Sequence, residues 1–214
     1  MPEVVKRLRW LGAAALIAVY VVLVHHVNVS GKPGALGAAL AAMPVFGIAL
    51  AMACSKASRQ LGLLLLGAGG LASWQWWAVI AQHSGFLFWI QDVGLMLVLL
   101  ITFGRTLLRG RKPLCTQFAE MLHGPLEPAH ERYARQVTVA WVVFFGVMAA
   151  ISTLLFFLAP LAVWSLFANF LVVPLVALMF GAEFLVRRHV LSGTASGHVL
   201  DALRTYLKSS AHPH

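Results

Sequence analysis

Asp92 is the only acidic residue placed well inside an apolar stretch of this sequence. A carboxylate is costly in hydrocarbon, so it turns inward, finds a partner, and often marks a proton or substrate path. Histidine is the natural proton partner near neutral pH, and His25 and His26 lie in a different apolar stretch. Gln75, Ser152, Thr153 and Asn169 place further polar side chains in three more such stretches. A helical rise of 1.5 Å per residue puts Asp92 roughly 9 Å below one membrane edge, and the others roughly 5–11 Å below the same edge. Two readings follow. One is a hydrogen-bonded packing layer in which Asp92 is paired with a histidine or held protonated. The other is a site open to the outer leaflet, with Asp92 and a histidine as proton-active groups. Asp92 itself is expected to meet Gln75 or a residue of the first stretch. Metal or haem ligation by His25, His26 and His83 is disfavoured, because adjacent helical residues diverge by about 100°. No metal and no cofactor are expected.

A second constellation is cationic. Arg105, Arg109, Arg111, Lys112, Arg132 and Arg135 fall in one loop, numbered 105–136. Lipid headgroups account for the charges nearest the membrane. Arg111, Lys112, Arg132 and Arg135 are candidates for docking an acidic partner. Glu183 has Arg187 four residues on, the spacing of a local helical ion pair; the alternative adds Tyr133 and Arg135 to make a cytoplasmic polar site. Cys54 and Cys115 have no ligand-like spacing and read as small reduced thiols. Trp74-Gln75-Trp76-Trp77 reads as part of an interfacial belt, with a Trp-lined ligand cage as the alternative. No nucleophile elbow, P-loop, dinucleotide fingerprint or H-E-x-x-H is present, so a self-contained active site of the soluble kind is not expected.

The elements that must position these residues are membrane helices. The chain has 214 residues, 60% hydrophobic and 11% charged, with mean hydropathy +0.84; soluble domains carry about 25% charged residues. A crossing takes about 20 apolar residues. Six stretches qualify, at 10–29, 35–54, 61–81, 86–104, 137–158 and 162–186, followed by a tail at 187–214. The predicted fold is all-α, a single polytopic membrane domain with two short interfacial helices. One of these begins at Leu114, with Phe118, Met121 and Leu122 at helical spacing. The other begins at His198, with Val199, Leu203 and Tyr206 on one face. Pro128 starts a helix expected to run on through the fifth stretch, and Pro44 and Pro174 are expected to kink the second and sixth.

Net charge is +9. Lys and Arg concentrate in alternate loops: Lys6, Arg7 and Arg9; then Lys56 and Arg59; then the long loop; then Arg187 and Arg188. The loops between hold Lys32 and otherwise no basic residue. By the positive-inside rule both termini lie in the cytoplasm. The charge is thus explained by membrane lipids rather than nucleic acid. The first stretch follows a basic start without a small-residue cleavage pattern, and reads as an uncleaved signal helix.

Three segments carry a likeness. Residues 127–145 (E-P-A-H-E-R-Y-A-R-Q-V-T-V-A-W-V-V-F-F), 164–170 (W-S-L-F-A-N-F) and 181–188 (G-A-E-F-L-V-R-R) resemble an uncharacterised bacterial inner-membrane protein family. Its members are encoded beside fatty-acid-synthase-like genes for aryl-polyene or related lipid products. The likeness rests on Arg132, Tyr133, Arg135, Thr138, Trp141, Asn169, Glu183 and Arg188, and covers the C-terminal half; the N-terminal half matches only as a hydrophobic pattern. It implies an accessory component of lipid or polyene assembly in the bacterial inner membrane, docking acyl carrier protein or soluble synthesis enzymes on its cytoplasmic side. It supplies no catalytic residues, and the Cys-His-His set of condensing enzymes is not recognisable here. The alternative is a small transporter or lipid-moving protein using the polar layer around Asp92.

Overall fold

The computed structural model describes residues 2–30, 34–108, 110–124 and 127–189. All elements are helical, with no strand among the described residues. They are α1 (Pro2–Ser30), α2 (Ala35–Cys54), α3 (Arg59–Gln75), α4 (Trp77–Gln82), α5 (Ser84–Arg105), α6 (Leu114–His123) and α7 (Pro128–Leu158). The last, α8, spans Leu161–His189. Five helical stretches are long and apolar enough to cross a membrane: Lys6–Ser30, Ala35–Cys54, Ser84–Thr106, Pro128–Leu158 and Leu161–His189. Lys32, Arg109 and the helix expected from His198 lie outside the described residues.

The third expected crossing is not one continuous helix. It divides at Trp76, whose φ of −112° and ψ of 23° leave the α region. The 17 residues of α3 rise about 26 Å, less than the roughly 30 Å of a hydrocarbon core. No proline or stop signal marks this break. Three indoles, Trp74, Trp76 and Trp77, crowd one turn, and bulky rings lose rotamer freedom against the preceding helical turn.

Proline placement shapes two other helices. Pro44 has no N–H for the carbonyl four residues back, which belongs to Leu40. The hydroxyl of Tyr20 on α1 donates to that carbonyl at 3.2 Å, so α2 runs unbroken through Pro44. In α8 the turn Phe167–Leu171, just before Pro174, widens to π geometry: the amide of Val172 reaches back five residues to the carbonyl of Phe167.

The chain forms two compact units. One comprises the described residues of Met1–Ile101 and Val143–Val172. Its core gathers Val24 and Val27 of α1, Leu40 and Ala41 of α2, Phe88 of α5 and Trp164 of α8. Within it α2 and α3 approach so closely that a Cβ on Gly62 would stand 2.7 Å from the backbone carbonyl carbon of Met52. The other unit comprises the described residues of Thr102–Val142 and Val173–His214. Here α6 is tied down by side-chain hydroxyls. The amide of Leu114 donates to Thr106 Oγ1 at 3.0 Å, and that of Cys115 to Thr138 Oγ1 at 3.2 Å. Gly124, at φ +79°, ends α6 in a left-handed conformation that a side chain would strain.

Candidate functional site: an intramembrane polar layer

Asp92 lies on α5 and is partly buried. Its Oδ2 accepts a hydrogen bond from Ser152 Oγ of α7 at 2.5 Å, and Ser152 in turn accepts from the indole Nε1 of Trp164 at 3.0 Å. Ser152 and Trp164 are each 1% exposed. An indole N–H only donates. The single hydroxyl hydrogen of Ser152 therefore points at Asp92, and the chain has one direction: Trp164 to Ser152 to Asp92. It orients the carboxyl group rather than carrying protons onward, because the indole end cannot release one. The partner expected on the first or third stretch is thus found on α7.

A second cluster centres on Ser165, which is 0% exposed. His25 Nδ1 lies 3.0 Å from its Oγ, Asn28 Nδ2 lies 3.4 Å away, and Asn169 Nδ2 lies 3.1 Å away. Asn169 also donates to the Ser165 carbonyl at 2.9 Å, and the His25 ring stands edge-on to Phe170 at 5.2 Å. This hydroxyl–imidazole pair has no room to act as a nucleophile and base. The oxygen is fully covered and both of its lone pairs face amide donors.

Of the residues singled out from the sequence, Asp92 and Ser152 come together, as do His25 and Asn169. His26 is exposed, as the angular divergence of adjacent helical residues requires. Gln75 is exposed on α3, away from any hydrogen bond to Asp92. Thr153 bonds the Ala149 carbonyl of its own helix at 2.8 Å. Asn28, Trp164 and Ser165 join the site only in the folded structure. Their signal was present for Asn28 and Ser165, since both are small polar residues in apolar stretches. For Trp164 it was masked, because an indole near a helix end reads first as an interfacial anchor.

The other constellations resolve more simply. Lys112 grips Glu120 at 2.8 Å, and that hydrogen bond, followed by the charge of Glu120, holds the Lys112 amine above the usual lysine range. Arg132 bonds the Pro128 carbonyl and Arg135 the Leu107 carbonyl, each at 3.3 Å; Arg111 is exposed. Glu183 pairs with Arg187 at 3.8 Å, while Tyr133 donates to the Glu183 backbone carbonyl at 3.0 Å. The Trp-rich segment borders an open apolar recess lined by Gly70, Ser73, Trp74 and Trp77. The Trp89 indole nitrogen is buried without an acceptor, with its ring edge-on to Phe157 at 5.2 Å. Among the described residues no group of three or more His, Cys, Asp or Glu side chains could hold a metal ion. Compared with protein-family models, curated proteins and solved structures, the chain matches none.

Proposed function

We propose that this protein is a small transporter or lipid-moving protein of the bacterial inner membrane, serving a lipid or polyene assembly pathway, with Asp92 as its proton-accepting group. The observation that carries this reading is the one-way chain from Trp164 through Ser152 to Asp92. Ser152, itself fixed by Trp164 and like it almost fully buried, holds one carboxyl oxygen in place, while Asp92 keeps part of its surface open. Both termini lie in the cytoplasm and the chain crosses six times, the third crossing being made by α3 and α4 across the break at Trp76. Five crossings would place Arg187 and Arg188 outside, against the charge rule. The pathway assignment rests on the likeness in the C-terminal half.

The test is deletion of the gene with lipid extraction, followed by complementation. The expected result is that product is still made but accumulates on the cytoplasmic side. Asp92→Asn, which keeps an acceptor for Ser152, should fold and insert yet fail to complement. Loss of synthesis in the deletion strain, or full complementation by Asp92→Asn, would overturn the reading. Docking of an acidic carrier protein is the second reading, favoured by the exposure of Arg111.

A further inference from the structure

The hydrogen-bond inventory at Ser165 fixes more than the identity of its neighbours. A serine oxygen offers one hydrogen and two lone pairs. The two amide nitrogens, Asn28 Nδ2 and Asn169 Nδ2, only donate, and they occupy both lone pairs. The orientation of Asn169 is set by its second bond, because the Ser165 carbonyl only accepts. The hydroxyl hydrogen then has one place to go, His25 Nδ1. With Asn28 donating as placed, this arrangement suits the tautomer in which His25 accepts at Nδ1 and carries its proton on Nε2. A second proton, placed on Nδ1, would turn three donors toward one oxygen and leave the hydroxyl hydrogen unplaced.

Ser165 is peptide-bonded to Trp164, which orients Ser152 and through it Asp92. Both residues sit in the short α-helical segment Leu161–Leu166, bounded by Pro160 and by the π turn Phe167–Leu171. This six-residue segment therefore carries a member of each network on consecutive positions. We propose that Trp164 and Ser165 form a pH-sensitive link between the two networks: protonation of His25 releases Ser165 from α1 and loosens the Trp164–Ser152–Asp92 chain. This regulation rests on the reading of Asp92 as the working group.

Few titratable side chains surround the link; His83, just before Ser84 at the start of α5, is exposed and bonds the Val79 carbonyl at 3.0 Å. Residues 84–101 of α5 carry Asp92 as their only titratable side chain, α2 carries only Cys54, and residues 143–158 and 161–172 carry none. On α1 itself the nearest titratable groups are Tyr20, bonded to the Leu40 carbonyl, and His26, which is exposed. Among the described residues no ion pair involves His25 or Asp92.

The test is indole N–H spectroscopy on the full chain in nanodiscs. The protein has seven tryptophans, and loss of one signal in Trp164→Phe assigns the resonance. Between about pH 8 and pH 5, where histidine changes charge, the Trp164 signal should shift in the wild type. It should shift in Asp92→Asn as well, because the trigger is His25. It should stay in place in His25→Gln, whose Oε1 still accepts from Ser165 but never charges. Ser165→Ala, which removes the node, should also abolish the shift and serves if His25→Gln misfolds. A signal that is silent in the wild type, or one that moves equally in His25→Gln or Ser165→Ala, overturns the link. The two proposals fail separately. If Trp164 responds as expected while Asp92→Asn complements fully, the functional reading falls and the link stands. If Asp92→Asn is inactive while Trp164 is silent, the link alone falls.

Discussion

Tyr20 donates its hydroxyl to the carbonyl of Leu40, the one carbonyl in α2 that Pro44 leaves without its helical amide. One helix repairs a defect that proline creates in its neighbour. Tyr20→Phe should therefore cost about 1–2 kcal/mol, the penalty of an unsatisfied buried acceptor. In a Pro44→Ala background the residue-44 amide returns, and the same Tyr20→Phe change should cost much less. Thermal unfolding of the four proteins of this double-mutant cycle in detergent checks the coupling. Equal losses in both backgrounds would refute the repair.

Gly62 is the contact point of α2 and α3, and a Cβ there would run into the backbone of Met52 and Ala53. Backbone cannot swing aside as a side-chain tip can. Gly62→Ala should destabilise the protein by about 1–3 kcal/mol, the range for overpacking. Gly67→Ala, on the same helix with open space around it, should be neutral or slightly stabilising. The pair of melting temperatures separates close approach from helix propensity.

The two cysteines should differ in reactivity. Cys54 is exposed, whereas Cys115 is partly buried, and burial above all pushes the Cys115 thiol pKa up. The thiolate is the nucleophile, so at neutral pH a maleimide should modify Cys54 several-fold faster. The stability linkage has a definite sign. A thiol whose folded pKa is raised contributes stability below the ordinary thiol pKa and loses it as pH rises through the folded value. Cys115→Ser should flatten the alkaline edge of the stability profile. An unchanged edge would rule out this contribution.

Topology is open to reporter fusions. Alkaline phosphatase placed after Gly34, Ser84 or Pro160 should be active, and after Arg59 or Lys112 it should not. The Ser84 fusion is decisive for α3 and α4. If these two helices fail to cross together, Ser84 falls on the same side as Arg59 and that fusion is silent.

Arg111 and Lys112 separate docking from anchoring. Lys112 already holds Glu120, so Arg111→Glu should weaken capture of an acidic carrier protein more than Lys112→Glu does, and steeply with salt, since charges in water are screened within about 8 Å at physiological ionic strength. Unchanged capture in Arg111→Glu, with insertion intact, would leave the loop as a topology anchor only.

Much of the architecture was legible because hydrocarbon imposes a one-dimensional rule: apolar length sets a helix, and its ends fall where polarity returns. The bounds of α2, 35–54, and the start of α7 at Pro128 follow from composition and from the one helical position where proline is harmless. That His25 and His26 face different surroundings follows from helical geometry alone. The break at Trp76 does not, since the crowded indoles of Trp74-Gln75-Trp76-Trp77 come with no proline or stop signal and read equally as an interfacial belt on a continuous helix. The partner of Asp92 was equally hidden. Depth along a helix is a sequence quantity, but azimuth toward a particular neighbour is set by how the helices pack. Residues near one depth, such as Gln75 and Ser152, are therefore equal in the sequence and unequal in the fold. Only tertiary structure could turn Ser152 toward Asp92, bring Tyr20 to the carbonyl orphaned by Pro44, and bind Trp164 and Ser165 into two adjacent networks. Each of these is a contact across more than ten residues of chain, made because a polar group buried among apolar helices must find its partner wherever packing supplies one.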